Sequence, residues 1–110
     1  MQAMMVVRYQ VIGDAAGFRA GAEKAAGIIA TVPGLVWKIW GFGDGRGAGL
    51  SAYLFESREA AEAFAAGPVL MGLRRNPEIA DVAVEIAPVD RGLSLRTGAE
   101  AALGERAVVA

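Results

Sequence analysis

The chain has 110 residues, of which 55% are hydrophobic and 21% charged, and its 11 lysines and arginines nearly balance its 12 aspartates and glutamates. This length suits one domain, and the balanced charge excludes a broad basic surface of the kind that binds nucleic acid or an anionic membrane. The sequence has no cysteine and no histidine, which excludes disulfides, thiolate chemistry, a serine triad and histidine-ligated metal sites.

The first part of the chain predicts a strand, a helix and a second strand. Residues 4–12 are rich in β-branched and aromatic side chains and end at Gly13 and Asp14, which favour a turn and a helix N-cap. Apolar side chains then recur at helical spacing over residues 15–31, and Pro33 ends this helix. Residues 35–42 predict the second strand.

A glycine-rich connection leads into a third strand. Residues 41–49 contain too much glycine for regular structure, so we expect a hairpin connection between two strands. Residues 50–56 then alternate, with Ser51, Tyr53 and Phe55 on one face and aliphatic side chains on the other.

Two short helical segments and a last strand follow. Ser57 is a good N-cap, and Gly67 ends the helix that begins there. Pro68 opens a further helical segment that ends near Asn76 and Pro77. Residues 79–89 alternate in a way that predicts a fourth strand, and Pro88 near its end indicates an edge position.

These elements follow the order β-α-β-β-α-β, which predicts an α+β, ferredoxin-like domain over residues 1–92. Such a domain has an antiparallel four-stranded sheet with its helices on one face. The opposite face carries apolar side chains and stays uncovered, so we expect a homodimer that joins two sheets. Residues 93–110 have no partner in this unit, and we expect them to form a C-terminal arm that contacts the second subunit.

The chain lacks sequence signals for membrane insertion or export. No apolar run approaches the about 20 residues that a membrane-spanning helix needs, and the N-terminal residues are typical of a strand and not of a signal peptide. We therefore expect a cytoplasmic protein with no membrane partner and no nucleic-acid partner.

Trp37 and Trp40 are the two tryptophans of the chain, and both lie in the second predicted strand. Because side chains alternate along a strand, we expect the two indoles on opposite faces of the sheet. One then packs toward the helices and the other toward the second sheet of the dimer. Either indole suits a flat wall against an aromatic ligand, and the sequence leaves open which space holds that ligand.

Three segments carry a family resemblance: residues 33–40 with the sequence PGLVWKIW, residues 53–55 with YLF, and residues 81–86 with DVAVEI, which run into Val89 and Asp90. Together they resemble the YdhR-like monooxygenases over residues 4–100. The resemblance implies the dimeric α+β barrel superfamily, which includes the cofactor-independent antibiotic-biosynthesis monooxygenases. It also implies a ligand cavity lined by strand and helix residues.

The activities of this superfamily are diverse. Better-studied relatives of the family oxidise polycyclic phenols and anthrones without metal or flavin, and other members are isomerases, decarboxylases or haem-degrading enzymes. Since this chain has no histidine, a histidine-ligated haem has no position here.

Polar and aromatic side chains of the strands, with one helix arginine, are the candidates for such a site. Two are candidate catalytic residues: Tyr53 as a donor to a substrate oxyanion, and Lys38 as a charge that stabilises an enolate or a phenolate. The candidate substrate-binding residues are Trp37, Trp40, Arg8, Tyr9, Phe55 and Arg74.

Each of these side chains also has a purely structural interpretation. Tyr53 suits a half-buried strand position, and Lys38 suits a solvated or snorkelling lysine. Arg8 would then form an ion pair with Glu85 or Glu56. Arg74 suits the solvated C-terminal end of a helix.

The resulting functional hypothesis is a cofactor-independent monooxygenase, without metal, that acts on a hydrophobic aromatic or polyketide-like compound. In such a reaction the deprotonated substrate itself supplies the electrons to dioxygen, so the protein needs to bind, desolvate and favour the anion. The same set of side chains also suits a polyketide cyclase or isomerase. It also suits a small-ligand-binding protein without catalysis.

Overall fold

The computed structural model describes residues 1–43 and 47–104. This part of the chain forms a four-stranded antiparallel sheet of β1 (Ala3–Val11), β2 (Leu35–Phe42), β3 (Ala48–Phe55) and β4 (Ile79–Pro88). Its helices are α1 (Ala15–Ile29), α2 (Arg58–Ala65), α3 (Pro68–Arg75) and α4 (Arg91–Arg96). The strand order β2-β3-β1-β4 confirms the predicted ferredoxin-like fold, and it places β4 at an edge, as Pro88 indicated.

The predicted helix starts are confirmed by their caps. The side chain of Asp14 accepts a hydrogen bond from the backbone N–H of Ala16 at the start of α1. Ser57 Oγ accepts one from the N–H of Ala60, 3.0 Å away, at the start of α2. These side chains satisfy backbone donors that have no partner within the helix.

Strand β3 begins at Ala48 and not at Leu50, so it takes in part of the predicted glycine-rich connection. Gly49 pairs with Tyr9, and the Tyr9 ring lies so close that a Cβ at position 49 would stand 2.1 Å from its Cζ. Gly49 therefore lets the Tyr9 ring lie against the backbone of β3, and it is not part of a turn. Residues 44–46 of the predicted connection lie outside the described residues.

The two faces of the sheet meet different neighbours. We call the face toward α1, α2 and α3 the inner face, and it carries the main core. The core includes Met5, Val7 and Tyr9 of β1, Tyr53 and Phe55 of β3, and Ile29, Phe64 and Leu70 of the helices. The partly buried side chains of Val82, Val84 and Ile86 of β4 pack against it. The other face, which we call the outer face, leaves Ile39 and Leu50 60% and 53% exposed.

The C-terminal segment returns to its own chain, which corrects the expectation that it has no partner there. The indole Nε1–H of Trp37 donates to the carbonyl oxygen of Ala102, and Gln2 Nε2 donates to that of Leu103 at 2.7 Å. Leu103 and Leu54 are buried outside the main core. The segment thus covers one end of the outer face, while residues 105–110 of the predicted arm lie outside the described residues.

Helix α4 was not predicted from the sequence. Asp90 Oδ1 accepts a hydrogen bond from the N–H of Leu93, 2.9 Å away, and so caps this helix. Within residues 1–43 and 47–104, no helix has both the length and the hydropathy to cross a bilayer.

Candidate active site

A cavity of about 290 Å³ lies between the inner face of the sheet and helices α1 and α3. Strands β1, β2 and β3 line one side of it with Val7, Tyr9, Lys38, Trp40 and Tyr53. Helices α1 and α3 line the other side, chiefly with Phe18, Gly21, Ala25, Leu70 and Leu73. An apolar and aromatic lining with a few polar groups is the usual composition of a small-molecule site.

The space exists because the lining face of α1 carries small side chains. Gly17, Gly21, Ala22 and Ala25 all line the cavity, and a Cβ built at Gly21 would have no neighbour within 4 Å. The buried side chain of α1 is Ile29, at the end of the helix. Between Phe18, which packs against the Tyr9 ring, and Ile29, the lining positions of the helix carry only small side chains and leave the gap open.

Lys38 and Trp40 enter the cavity together. Alternate positions of β2 share a face, and Lys38 pairs with Tyr53 across the sheet. The Nζ of Lys38 lies 3.3 Å from the centre of the Trp40 ring and 4.7 Å from that of Tyr53. Both aromatic faces are within the range in which a cation is attracted to the ring.

Burial lowers the pKa of Lys38 to about 7, because a charged amine loses hydration in this apolar setting. Within the part of the chain that the structure describes, no ion pair includes Lys38. A strongly perturbed amine in a cavity is a feature of functional sites.

The two tyrosines supply protonated hydroxyls. Burial raises the pKa of Tyr53, and the neighbouring Tyr9 raises it further; burial also raises the pKa of Tyr9. The Tyr53 ring is held in place by Phe55 and Phe64, with centroids 5.9 and 5.3 Å away. Both phenols therefore remain hydrogen-bond donors at neutral pH.

The rim of the cavity contains two residues that the sequence did not single out. The Asn76 side chain accepts a hydrogen bond from the N–H of Glu78 at 2.9 Å, and Glu78 Oε1 accepts one from the N–H of Asp14 at 3.0 Å. These contacts tie the end of α3 to the start of α1. Asn76-Pro77 was a visible turn signal, but nothing local indicates that Glu78 meets Asp14, which lies 64 residues earlier.

Ser51 is a further residue without a predicted role. It lies on the inner face between Trp40 and Val7, is 1% exposed, and its hydroxyl has no hydrogen-bond partner among the described residues. A buried hydroxyl in that state destabilises the fold.

Comparison with known proteins is consistent with this architecture. The family described as "Putative mono-oxygenase ydhR" matches residues 4–100. The chain belongs to this family. Its fold was thus correctly indicated by the resemblance of residues 33–40 and the segments that follow, and the family is one of monooxygenases. No curated protein shows significant sequence similarity to the chain.

Several solved structures share the fold of this ydhR-family chain at low sequence identity. SnoaB from Streptomyces nogalater, a cofactor-independent oxygenase, has a TM-score of 0.65 at 18% identity, over 80% of this chain and 92% of SnoaB. Rv0793 from Mycobacterium tuberculosis has a TM-score of 0.65 at 19% identity, over 82% and 97%. A mutant of MhuD with two manganese protoporphyrin IX molecules per active site has a TM-score of 0.53 at 22% identity, over 80% and 94%.

The structure of this ydhR-family chain brings Tyr53, Lys38, Trp40 and Tyr9 together, out of the residues that the sequence proposed for the site. The other proposed residues lie outside the cavity. Trp37 pairs with Leu54 and faces outward, which confirms that the two indoles are on opposite faces. Their separation follows from strand geometry.

Arg8, Phe55 and Arg74 are outside the cavity for different reasons. Arg8 faces outward and forms an exposed ion pair with Glu85 at 2.6 Å, as its structural interpretation predicted. Phe55 is on the inner face, but it is fully buried beside Phe64 of α2. Arg74 is exposed on α3, whose Leu70 and Leu73 face the cavity instead.

Proposed function

We propose that this chain is a cofactor-independent monooxygenase of a hydrophobic aromatic or polyketide-like compound, and that the cavity between the sheet and α1 is its active site. The observation that carries the proposal is the group formed by Lys38, Trp40 and Tyr53. One amine and one phenol meet a flat indole wall in an apolar cavity. SnoaB, which shares the fold, is itself a cofactor-independent oxygenase.

The proposed reaction needs no external reductant. A methylene group flanked by aromatic rings and activated by a carbonyl loses a proton to give a conjugated carbanion, which passes electrons to dioxygen. One oxygen atom becomes the new carbonyl oxygen and the other leaves as water, so CH₂ and O₂ become C=O and H₂O. The protein's task is to hold the ligand, exclude water and stabilise the negative charge.

The residues of the cavity have distinct roles in this scheme. Trp40 supports the flat ring system of the ligand, and the Tyr53 hydroxyl donates to the oxygen on which negative charge accumulates. The Nζ of Lys38 lies over the Trp40 ring at 3.3 Å and the Tyr53 ring at 4.7 Å, so a ligand in the cavity meets the amine together with these rings. Among the residues that the structure describes, no group of three or more aspartates and glutamates is placed to hold a metal ion.

The test uses a panel of anthrones and hydroquinones with purified, metal-free protein under ¹⁸O-labelled dioxygen. We expect one labelled oxygen atom in the product, measured by mass spectrometry. Tyr53→Phe should lower turnover by roughly tenfold to a hundredfold while it preserves ring packing and thermal stability. Conversion without oxygen uptake would instead support a cyclase or isomerase, and binding with unchanged ligand would support a binding protein.

We also propose that the chain forms a homodimer through the outer face of its sheet. The face exposes Ile39, Leu50 and Met4, which would form an unfavourable apolar patch in water. Leu93 of α4 is the first residue of the predicted C-terminal arm and is 62% exposed, so it offers an apolar side chain to the partner subunit. Light scattering behind size-exclusion chromatography tests this: a monomer at micromolar concentration would contradict it.

A further inference from the structure

The amine of Lys38 has an unusual position among the charged groups of the cavity. In the part of the chain that the structure describes, it is the one basic side chain of the lining, and Glu78 is the one acidic side chain. The backbone of Glu78 lies near the C-terminal end of β1, where its carbonyl accepts a hydrogen bond from the N–H of Ile12. Lys38 lies beside Tyr53, which pairs with Met5 nearer the other end of β1. Among the described residues no ion pair joins Glu78 to Lys38, and the Glu78 carboxylate instead accepts a hydrogen bond from the N–H of Asp14.

We infer that Lys38 is the base of the reaction, and that its free amine removes the proton from an aromatic ligand held against Trp40 and Tyr53. The inference rests on the proposed function. The C–H or O–H bond of the ligand breaks, an N–H bond forms at Nζ, and the electron pair stays on the ligand as a conjugated anion. Lys38 then becomes the cation that stabilises this anion.

The surroundings of Lys38 suit both of its protonation states. Burial lowers its pKa to about 7, so a large fraction of the amine is free at neutral pH. Once protonated, the ammonium lies over the Trp40 ring at 3.3 Å and the Tyr53 ring at 4.7 Å, which attract a cation. The site therefore accepts a proton without needing a carboxylate partner.

The other titratable groups among the described residues of the lining are the two tyrosines and Glu78. Tyr53 faces Lys38 from β3 and Tyr9 lies on β1, and burial raises the pKa of both, so they remain protonated. Glu78 hydrogen-bonds to the backbone of Asp14 at the rim. The described residues of α1 and α3 that line the cavity are uncharged.

Lys38 also lines a second recess, which would give the proton on its amine a way out of the ligand cavity. This recess, of about 230 Å³, lies between the end of α1 and the edge strand β2, and Ala26, Ala30 and Trp37 also line it. A base between the ligand cavity and an opening at the sheet edge can return to its free form after each turnover without displacing the ligand.

The test separates proton removal from oxidation by excluding oxygen. Anthrone is incubated anaerobically in D₂O with the protein, and exchange of its C10 protons for deuterium is followed by ¹H NMR. We expect the wild-type protein to accelerate exchange, and Lys38→Met and Lys38→Arg each to lower the enzymatic rate by roughly a hundredfold or more. Lys24→Met, at the exposed lysine of α1, is the matched control and should keep the wild-type rate.

Lys38→Arg is the decisive variant, because arginine keeps the positive charge but does not act as a base. Exchange at the wild-type rate in Lys38→Arg or Lys38→Met would overturn the inference, and so would an unaccelerated rate with the wild-type protein. The wild-type rate should rise with pH and level off above about pH 7. A rate that falls above pH 7 would show that the ammonium is the required form.

A second measurement does not depend on the choice of ligand. The ¹³Cε chemical shift of labelled Lys38, with Lys24 as an internal reference, should titrate near pH 7. A midpoint near 10, the ordinary value for lysine, would overturn the inference. The proposed function can fail without this inference. Proton exchange that depends on Lys38, without incorporation of labelled oxygen, would contradict the oxygenase proposal and still support Lys38 as a base.

Discussion

The Nζ of Lys38 lies 3.3 Å from the centre of the Trp40 indole, and the two side chains leave β2 on the same face of the sheet. The indole shields the amine from water and at the same time offers it a π face. This pairing makes one short stretch of β2 both the flat wall of the cavity and the site of its base.

The two tryptophans should respond differently to the same substitution. Trp40→Phe should weaken anthrone binding by roughly tenfold, because the smaller ring loses contact with the ligand. Trp37→Phe should leave binding unchanged and lower the free energy of unfolding by about 1 kcal/mol, because it loses the hydrogen bond to the Ala102 carbonyl. Fluorescence titration and urea unfolding measure these effects, and equal effects of both substitutions would contradict the assignment.

Filling the cavity from α1 should abolish binding without harming the fold. A leucine at Gly21 would project into open space within the cavity, so Gly21→Leu should lower ligand affinity at least tenfold. The helix should gain up to about 1 kcal/mol in stability from the loss of glycine. Gly27→Leu is the matched control, since position 27 is also open but lies outside the cavity lining, and it should bind normally.

Removing the unpaired hydroxyl of Ser51 should stabilise the protein. Ser51→Ala removes a buried polar group that has no partner among the described residues, so we expect a gain of about 1 kcal/mol in the free energy of unfolding. Chemical denaturation measures the gain. A loss of stability of that size would indicate that the hydroxyl has a partner in the folded protein.

A charge on the outer face should prevent the proposed dimer. Leu50→Glu places a carboxylate on the exposed outer face, and we expect a folded monomer by light scattering. Ile28→Glu, at an exposed apolar position on α1, is the matched control and should stay dimeric. A dimeric Leu50→Glu protein would place the interface elsewhere.

The stability of the fold should depend on pH through Lys38. Its pKa is lowered to about 7 in the folded protein, while the unfolded chain keeps the ordinary lysine value. Between about pH 7 and pH 10 the unfolded chain therefore binds the proton that the folded protein lacks, so stability rises with pH in this window. Relative to Lys38→Met, the wild-type protein should gain stability from pH 7 to pH 10 and show a constant difference below pH 7, measured by urea unfolding.

Much of the fold follows from local patterns. The alternation of Ser51, Tyr53 and Phe55 placed all three on one face, and the structure confirms that face as the inner one. The caps at Asp14 and Ser57 and the turn before Pro68 were readable because each depends on neighbouring residues. The return of the C-terminal segment to Trp37 was missed, because it joins residues 65 positions apart.

The composition of the site was largely visible in the sequence, but its assembly was not. Lys38, Trp40, Tyr53 and Tyr9 were all candidates on chemical grounds, yet so were Arg8 and Arg74, which point elsewhere. A side chain's type shows what it can do, whereas its distance from other side chains depends on how the strands and helices pack. The cavity itself arises from small residues of α1, which seen alone indicate only a weakly amphipathic helix.

The sequence alone determined that Trp37 and Trp40 face opposite sides of the sheet, because their spacing and the two-residue period of a strand require it. Which indole meets the cavity depends instead on how the strands pair in the folded sheet. A register shift between Leu35 and Trp37 pairs Leu35 with Phe55 and Trp37 with Leu54, so one extra residue turns Trp37 outward and Lys38 and Trp40 inward. That bulge is set by how β2 pairs with β3, and the nearby residues of β2 do not specify it by themselves.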